Sequence, residues 1–416
     1  MSPPASPRLS RRALLAGVGS AALAAPSKLH AENFCSDVDA ATPASRGAAP
    51  LGVISDRVRW GVAIGSPGLD DPGYVALVES ERPKFLAIAN ALKFDHLYAR
   101  QPASGASLAS VADFTECNTI LSLAQRLDVP VRGDCLAWND WPPAWLKRLV
   151  EDGGAAQARD YLRQHFEAVF AHFAAMPAGP ALSAVGVVNE PFDPWNQRFG
   201  IQGWRPGPWS TAFGNEPDGT PSYIHEAFAL AGRFAKPGTK LFLNEAHCEN
   251  DRFGPLMRAA MLRLIDSLQR AGRRVDAVGL ECHLMPHWMA DPARPDWQPF
   301  VRFLDEIGRR GIAVYLTELD VIDCSVRDMA ERDRLVADTM RAFLTAALRS
   351  KAVVSVTNWD LSDRFSWLRE SNSYRGLAKW ALCTANPPCP RPTPYDAHYA
   401  PKSGRDALAE ALGTRR

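Results

Sequence analysis

Two stretches decide how this chain folds: Ala184-Val185-Gly186-Val187-Val188-Asn189-Glu190, and Ala313-Val314-Tyr315-Leu316-Thr317-Glu318-Leu319-Asp320. Each is a short aliphatic run, rich in β-branched residues, that stops at a carboxylate. Working outward from them, comparable runs recur from Val58 onward. They predict strands near 58–64, 95–99, 129–138, 184–190, 240–245, 276–284, 313–321 and 352–360. Longer amphipathic patterns lie between them. Residues 254–271 place Leu256, Ala260, Leu264 and Leu268 on one face, and 333–349 do so with Leu335, Met340, Phe343, Leu344 and Leu348. Strands alternating with helices predict βαβ units around a parallel sheet. Eight such units in a single large domain fit a (β/α)8 TIM barrel better than a doubly wound sheet.

Composition bounds the function. The 416 residues include 47 basic and 46 acidic side chains, with 22% charged and 46% hydrophobic residues. This balance lacks the basic field that a nucleic-acid partner requires. No apolar run after the N-terminus is long enough for a membrane-spanning body. The N-terminus itself is an address: Ser10-Arg11-Arg12-Ala13-Leu14-Leu15 opens an apolar run from Ala13 to Ala25, broken by Gly17 and Gly19. The paired arginines resemble a twin-arginine export signal. Residues 1–31 are read as that signal, cleaved after Leu29-His30-Ala31 or after Ala22-Leu23-Ala24. Residues 32–50 are then a leader or linker, and 51–412 a single catalytic domain. Residues 1–31 hold Arg8, Arg11, Arg12 and Lys28 and no acid, so their removal leaves 43 bases against 46 acids, a net −3. A periplasmic or secreted protein is expected. Its eight cysteines suit an oxidising compartment. Cys383 and Cys389 are the expected loop disulfide, the remaining cysteines serve as small hydrophobes, and no C-x-x-C spacing points to structural zinc.

In a barrel, chemistry collects where strands end at their C-terminal side. The third run ends in Arg132-Gly133-Asp134-Cys135 and Trp138-Asn139, the fourth in Asn189-Glu190-Pro191, and the fifth in Asn244-Glu245. The sixth carries Glu281-Cys282-His283, the seventh Thr317-Glu318-Leu319-Asp320, and the eighth Asn358-Trp359-Asp360, with Trp367 beyond. One acid at a strand end is an ordinary cap, but several converging on one mouth repel each other and imply function. Cleavage of a glycosidic bond needs two facing carboxyls, one protonated to assist the leaving oxygen and one ionised. Glu190 and Glu318 occupy opposing strands. Asn189 is placed to bind a sugar hydroxyl, and His283 to orient Glu318 with Asp320 behind it. Trp359 and Trp367 offer flat faces to a sugar ring with their N–H groups available as donors. The tryptophans of the connections after the fourth and sixth runs, Trp195, Trp204, Trp209, Trp288 and Trp297, are expected to wall the cleft. His247 and His287 are read as ordinary polar residues.

These motifs resemble glycoside hydrolase family 10, the endo-1,4-β-xylanases, from Val58 to Leu412. The resemblance lies in Val187-Val188-Asn189-Glu190 and Tyr315-Leu316-Thr317-Glu318-Leu319-Asp320, in that order and spacing. Further matches are Arg132-Gly133, Trp138 with Pro143 and Trp145, Val278-Gly279, His283-Leu284, and Trp359 and Trp367 with Asp363 and Ser366 between. The resemblance implies a retaining mechanism, with Glu190 as acid/base and Glu318 as nucleophile. It also implies that Asn90 and Lys93 bind sugar beside the cleavage point, in company with Trp138, Asn189, His283, Trp359 and Trp367. Asp320, Glu281 and Asp134 stand behind these. The chain departs from the family at Ala89 for Glu, Asp134 for His, Asn139 for His, Glu281 for Gln, and Glu245-Ala246 for Asp-Tyr. A monomer acting on β-1,4-linked polysaccharide is expected, without metal or organic cofactor. Two rival readings differ. In one, Asp134, Glu190, Glu245, Glu281, His283, Glu318 and Asp360 ligate a divalent metal in a sugar-isomerase-type barrel. In the other, a sugar-binding protein has lost catalysis.

Overall fold

The computed structural model describes residues 49–176, 179–195, 203–323, 326–369 and 389–414. Ten strands lie among them: β1 (Arg59–Ile64), β2 (Leu86–Ile88), β3 (Val131–Gly133), β4 (Ala137–Trp138), β5 (Leu182–Asn189), β6 (Lys240–Glu245), β7 (Ala277–Leu280), β8 (His283–Leu284), β9 (Ala313–Val321) and β10 (Val353–Trp359). All pairings are parallel, and the sheet closes because β10 pairs with both β1 and β9. β3 with β4 and β7 with β8 each form one interrupted stave, so the strands make eight staves and a closed (β/α)8 barrel. The register aligns Leu86 with Val131, Ala184 with Lys240, and Ala277 with Ala313.

Helices such as Ala155–Ala174, Gly254–Arg270 and Met329–Ala347 return along the outside. Most apolar side chains are buried in one cluster that joins them to the sheet. Two smaller clusters stand apart. Ala184, Phe242 and Ala277 meet Tyr315, while Ala63, Ala87, Ala89 and Trp359 meet Trp367 at the mouth. The buried Arg132 crosses from β3 to donate to the Thr357 hydroxyl of β10 at 2.7 Å and the Thr317 carbonyl of β9 at 2.9 Å.

Three sequence expectations are corrected. The second strand is Leu86–Ile88, and the stretch expected near 95–99 contains a helical turn, Phe94–Leu97. A three-residue strand shows no periodicity. Phe94 and Tyr98 look strand-like because they are buried in an aromatic cluster with Trp145 and His165. Leu256 is 45% exposed, while Met257 and Met261 join Ala260, Leu264 and Leu268 on the buried face. The run 276–284 is broken at Glu281-Cys282, where Cys282 takes φ +61°. Cys117, Cys135, Cys248 and Cys282 are buried thiols, and Cys389 is disulfide-bonded. Cys383, the expected partner, lies outside the described residues, as do the arginine pair and the whole of residues 1–31. Among the described residues no helix is long and apolar enough to cross a membrane.

Candidate active site

The rim is built by successive staves. The Glu190 N–H donates to the Asn244 carbonyl at 3.0 Å, Glu281 N–H to the Glu245 carbonyl at 3.0 Å, and Glu318 N–H to the Glu281 carbonyl at 2.9 Å. Their carboxyls therefore gather round one mouth. Left-handed backbone collects there too. Glu190 (φ +42°), His247 (+62°), Cys282 (+61°), Asp360 (+66°) and Trp141 (+53°) each follow a strand end by three residues or fewer. Such conformations are costly for non-glycine residues and concentrate at functional sites.

Glu318 sits at the centre of a polar chain. The Trp367 indole N–H donates to Asp320 at 2.7 Å, Asp320 pairs with His283 Nδ1 at 2.8 Å, and His283 Nε2 lies 3.3 Å from Glu318 Oε2. Asn244 Nδ2 donates to Glu318 Oε1 at 2.9 Å and to Asn189 Oδ1 at 2.8 Å, while Thr317 donates to Asn244 Oδ1 and fixes that amide. Burial works against a charge on Glu318. The hydrogen bond and charge of His283, with Lys93 and Arg132 beyond, outweigh it and hold the carboxyl below its ordinary range. Burial also opposes a charge on His283, but Asp320 and Glu318 raise the imidazole well above its usual value. Glu281 goes the other way: burial, then the charges of Glu318 and Glu190, push it well above a normal carboxyl. The surroundings thus favour the charged forms of Glu318 and His283 and the neutral form of Glu281.

Glu190 faces this assembly through Asn189, whose Nδ2 donates to Glu190 Oε1 at 3.3 Å. The run Glu318–Asn244–Asn189–Glu190 thus links the two carboxyls through two carboxamides. On its other side Glu190 meets Arg205, with Nη2 2.7 Å from Oε2 and Nε donating to the Glu190 carbonyl at 2.8 Å. Arg205 also pairs with Asp140. Glu245 spends its oxygens on the N–H groups of Ala246 and Phe192, at 2.8 and 3.2 Å. Asn90 accepts from the Lys93 ammonium at 2.8 Å, and that ammonium lies 4.7 Å from the Trp138 ring and 5.8 Å from Trp359. The His283 ring lies 5.0 Å from Trp367 and 6.4 Å from Trp359.

The residues singled out in the sequence thus converge on one mouth, with qualifications. The Trp367 N–H is engaged by Asp320, so only its face is offered. Trp209, Trp288 and Trp297 are 1%, 5% and 7% exposed and pack the loops onto the barrel, which corrects their assignment as cleft walls. His247 and His287 pack against Trp288, and burial lowers His247 to about 3. Asn244 and Arg205 were missed as site residues. Asn244 stood in view at a strand end, but its bridging role needs three staves at once; Arg205 lies in a loop with no motif. Among the described residues, Glu281, His283 and Glu318 have potential ligand atoms within 4.8 Å of one another. Asp134 belongs to Arg132 at 2.9 Å and Glu245 to backbone amides, so these two acids are engaged away from that group.

The family model for glycosyl hydrolase family 10 matches residues 53–411. The chain belongs to glycosyl hydrolase family 10. Endo-1,4-β-xylanase C of Phanerodontia chrysosporium is 27% identical over 335 residues, covering 79% of this chain and 73% of that protein. Endo-1,4-β-xylanase A of the same organism is 25% identical over 364 residues, covering 86% and 75%. The fold superposes on xylanase 10B of Thermotoga maritima with a TM-score of 0.69 at 19% identity, covering 88% of this chain and 98% of that one. An intracellular xylanase of Thermoanaerobacterium saccharolyticum, solved with xylotetraose, gives 0.68 at 21% identity, covering 88% and 99%.

Within family 10, the departures of this chain mostly point inward. Ala89 packs under Trp359. Asp134 is buried against Arg132, and burial lifts its carboxyl to about 6 despite that partner. Asn139 accepts from the Trp209 N–H at 3.0 Å and donates to Ser210 Oγ at 2.7 Å and the Arg205 carbonyl at 3.1 Å. It is a strut between loops. Glu281, whose neutral form its burial favours, has then the size and charge of the glutamine that the resemblance leads one to expect there.

Proposed function

We propose that this family 10 enzyme is a retaining endo-1,4-β-xylanase that hydrolyses xylan by double displacement. The observation that carries the reading is the pair itself. Glu318 sits 3.3 Å from His283, which favours its charged form, and is joined through Asn244 and Asn189 to Glu190 across the mouth. Glu318 attacks the anomeric carbon while Glu190 gives a proton to the leaving oxygen. Glu190 then takes a proton from the water that releases the sugar from Glu318. Asn189 and Asn90 meet hydroxyls, and Trp138, Trp359 and Trp367 present faces to the pyranose rings. Residues 1–31 act as a twin-arginine export signal, 32–50 as a leader, and 51–412 as the catalytic domain of a monomer working in the periplasm or outside the cell.

The test is product analysis on xylan, glucuronoxylan, β-glucan and aryl β-xylosides, with anomeric configuration followed by NMR. Internal cleavage of xylan with retention is expected, together with its loss in Glu318→Ala. Inversion overturns the nucleophile, and absence of turnover in the wild type favours a lapsed sugar-binding protein.

A further inference from the structure

We propose that Trp141 forms, with Trp138, an outer sugar platform that grips a neutral pyranose ring of the substrate chain beyond the sugar being cleaved. This rests on the xylanase reading. Trp141 is 65% exposed, which makes it the most exposed large apolar side chain among the described residues. It follows β4 by three residues, and Trp138, at the end of β4, lies opposite Asn189 in the register, next to Glu190. The two indoles are almost parallel, with centroids 6.5 Å apart and planes 12° apart. The aromatic surface of the mouth therefore continues outward from the catalytic pair to an exposed ring.

The backbone at Trp141 does not relax this exposure. Its φ of +53° is a rare state for a bulky residue, and Pro142 follows directly. The turn before it is clamped. Asp140 pairs with Arg205, and Asn139 is held by Trp209, Ser210 and the Arg205 carbonyl. A strained, solvent-facing tryptophan on a rigid turn contributes little to packing, and rigidity reduces the entropy a ligand must overcome on docking. The neighbouring charges decide the class of ligand. Among the described residues no cation lies over the Trp141 ring: Lys93 is bonded to Asn90 and stands over Trp138, and Arg205 is paired with Glu190 and Asp140. Such a flat apolar face suits an uncharged sugar ring rather than a uronic acid.

The test compares wild type with Trp141→Ala on xylohexaose and on an aryl β-xyloside, whose single sugar reaches only the position at the nucleophile. A stacking platform predicts that KM for xylohexaose rises about tenfold, about 1.4 kcal/mol, with kcat nearly unchanged. The aryl β-xyloside is hydrolysed as before, Trp141→Phe restores most of the loss, and the unfolding midpoint stays the same. An unchanged KM on xylohexaose, or an equal loss on both substrates, overturns the proposal. If the wild type instead cleaves a different β-linked hexasaccharide, the xylan reading fails, and the same comparison on that hexasaccharide still decides the platform. If it cleaves none, calorimetric titration of xylohexaose into wild type and Trp141→Ala decides, with equal affinity or no binding counting against it.

Discussion

Glu281 and Glu318 share the same Asn244 amide, at 3.4 and 2.9 Å, and the same His283, whose Nε2 stands 3.9 and 3.3 Å from them. Two carboxylates this close do not ionise together, so their environments drive them apart. Glu318, closer to His283, keeps the charge; Glu281 keeps the proton. As pH rises through the raised pKa of Glu281, a second anion forms beside Glu318, the proposed nucleophile, and competes for His283 and Asn244. Glu281→Gln stays neutral throughout. The alkaline limb of kcat/KM should therefore move to higher pH in this variant, while the acid limb stays, since Glu281 is neutral there in both proteins. A pH–rate profile on xylan checks this, and an unmoved alkaline limb removes the idea. Glu190 and Glu318 were legible in the sequence because each ends an aliphatic run in a distinctive motif. The division of charge was not, because it depends on distances between side chains from β6, β9 and the break between β7 and β8.

The connection after β5 shows what one element adds. It leaves at Pro191, and Arg205 N–H returns to the Pro191 carbonyl at 2.8 Å, while Phe192 and Trp204 stack with centroids 4.8 Å apart. That closure places Arg205 against both the carboxylate and the carbonyl of Glu190. Arg205→Gln should free the Glu190 side chain and lower kcat/KM on xylan about tenfold, a fraction of the 10²–10⁴ typical of general acid–base catalysis. An aryl β-xyloside with an activated phenol needs little protonation and should lose much less. Equal losses on both substrates would make Arg205 merely structural. Nothing in the sequence marked Arg205, because a loop arginine has no period and its partner lies across a turn. The misplaced second strand has a related origin. Three residues, Leu86–Ile88, are enough for a stave because β1 and β3 flank them, yet too few to register as a pattern.

Across the whole molecule, the C-terminal segment is fastened by buried ion pairs. Lys402 reaches both Asp363 oxygens at 3.0 and 2.8 Å, Arg391 holds Asp333 at 2.7 and 2.8 Å, and Arg405 holds Glu81 at 3.0 Å. Removing one partner of a buried pair strands the other, at a cost of about 3–5 kcal/mol. Lys402→Met should therefore lower the unfolding free energy read from denaturant titration by that amount; a loss below about 1 kcal/mol, the size of an exposed pair, would contradict the burial. Sequence alone pointed to the barrel through seven of its eight staves, since aliphatic runs spaced by helices have few other ways to bury themselves. It also placed Glu190 and Glu318 on one rim, since acids that end parallel strands must emerge on the same side. Tertiary structure alone decided which acid is charged, that Asn139 and Asp134 serve as struts, and that Trp141 is left exposed beside Trp138. The physical reason is locality. Periodicity is written into neighbouring residues, whereas charge state, hydrogen-bond partners and exposure depend on groups that only chain closure brings together.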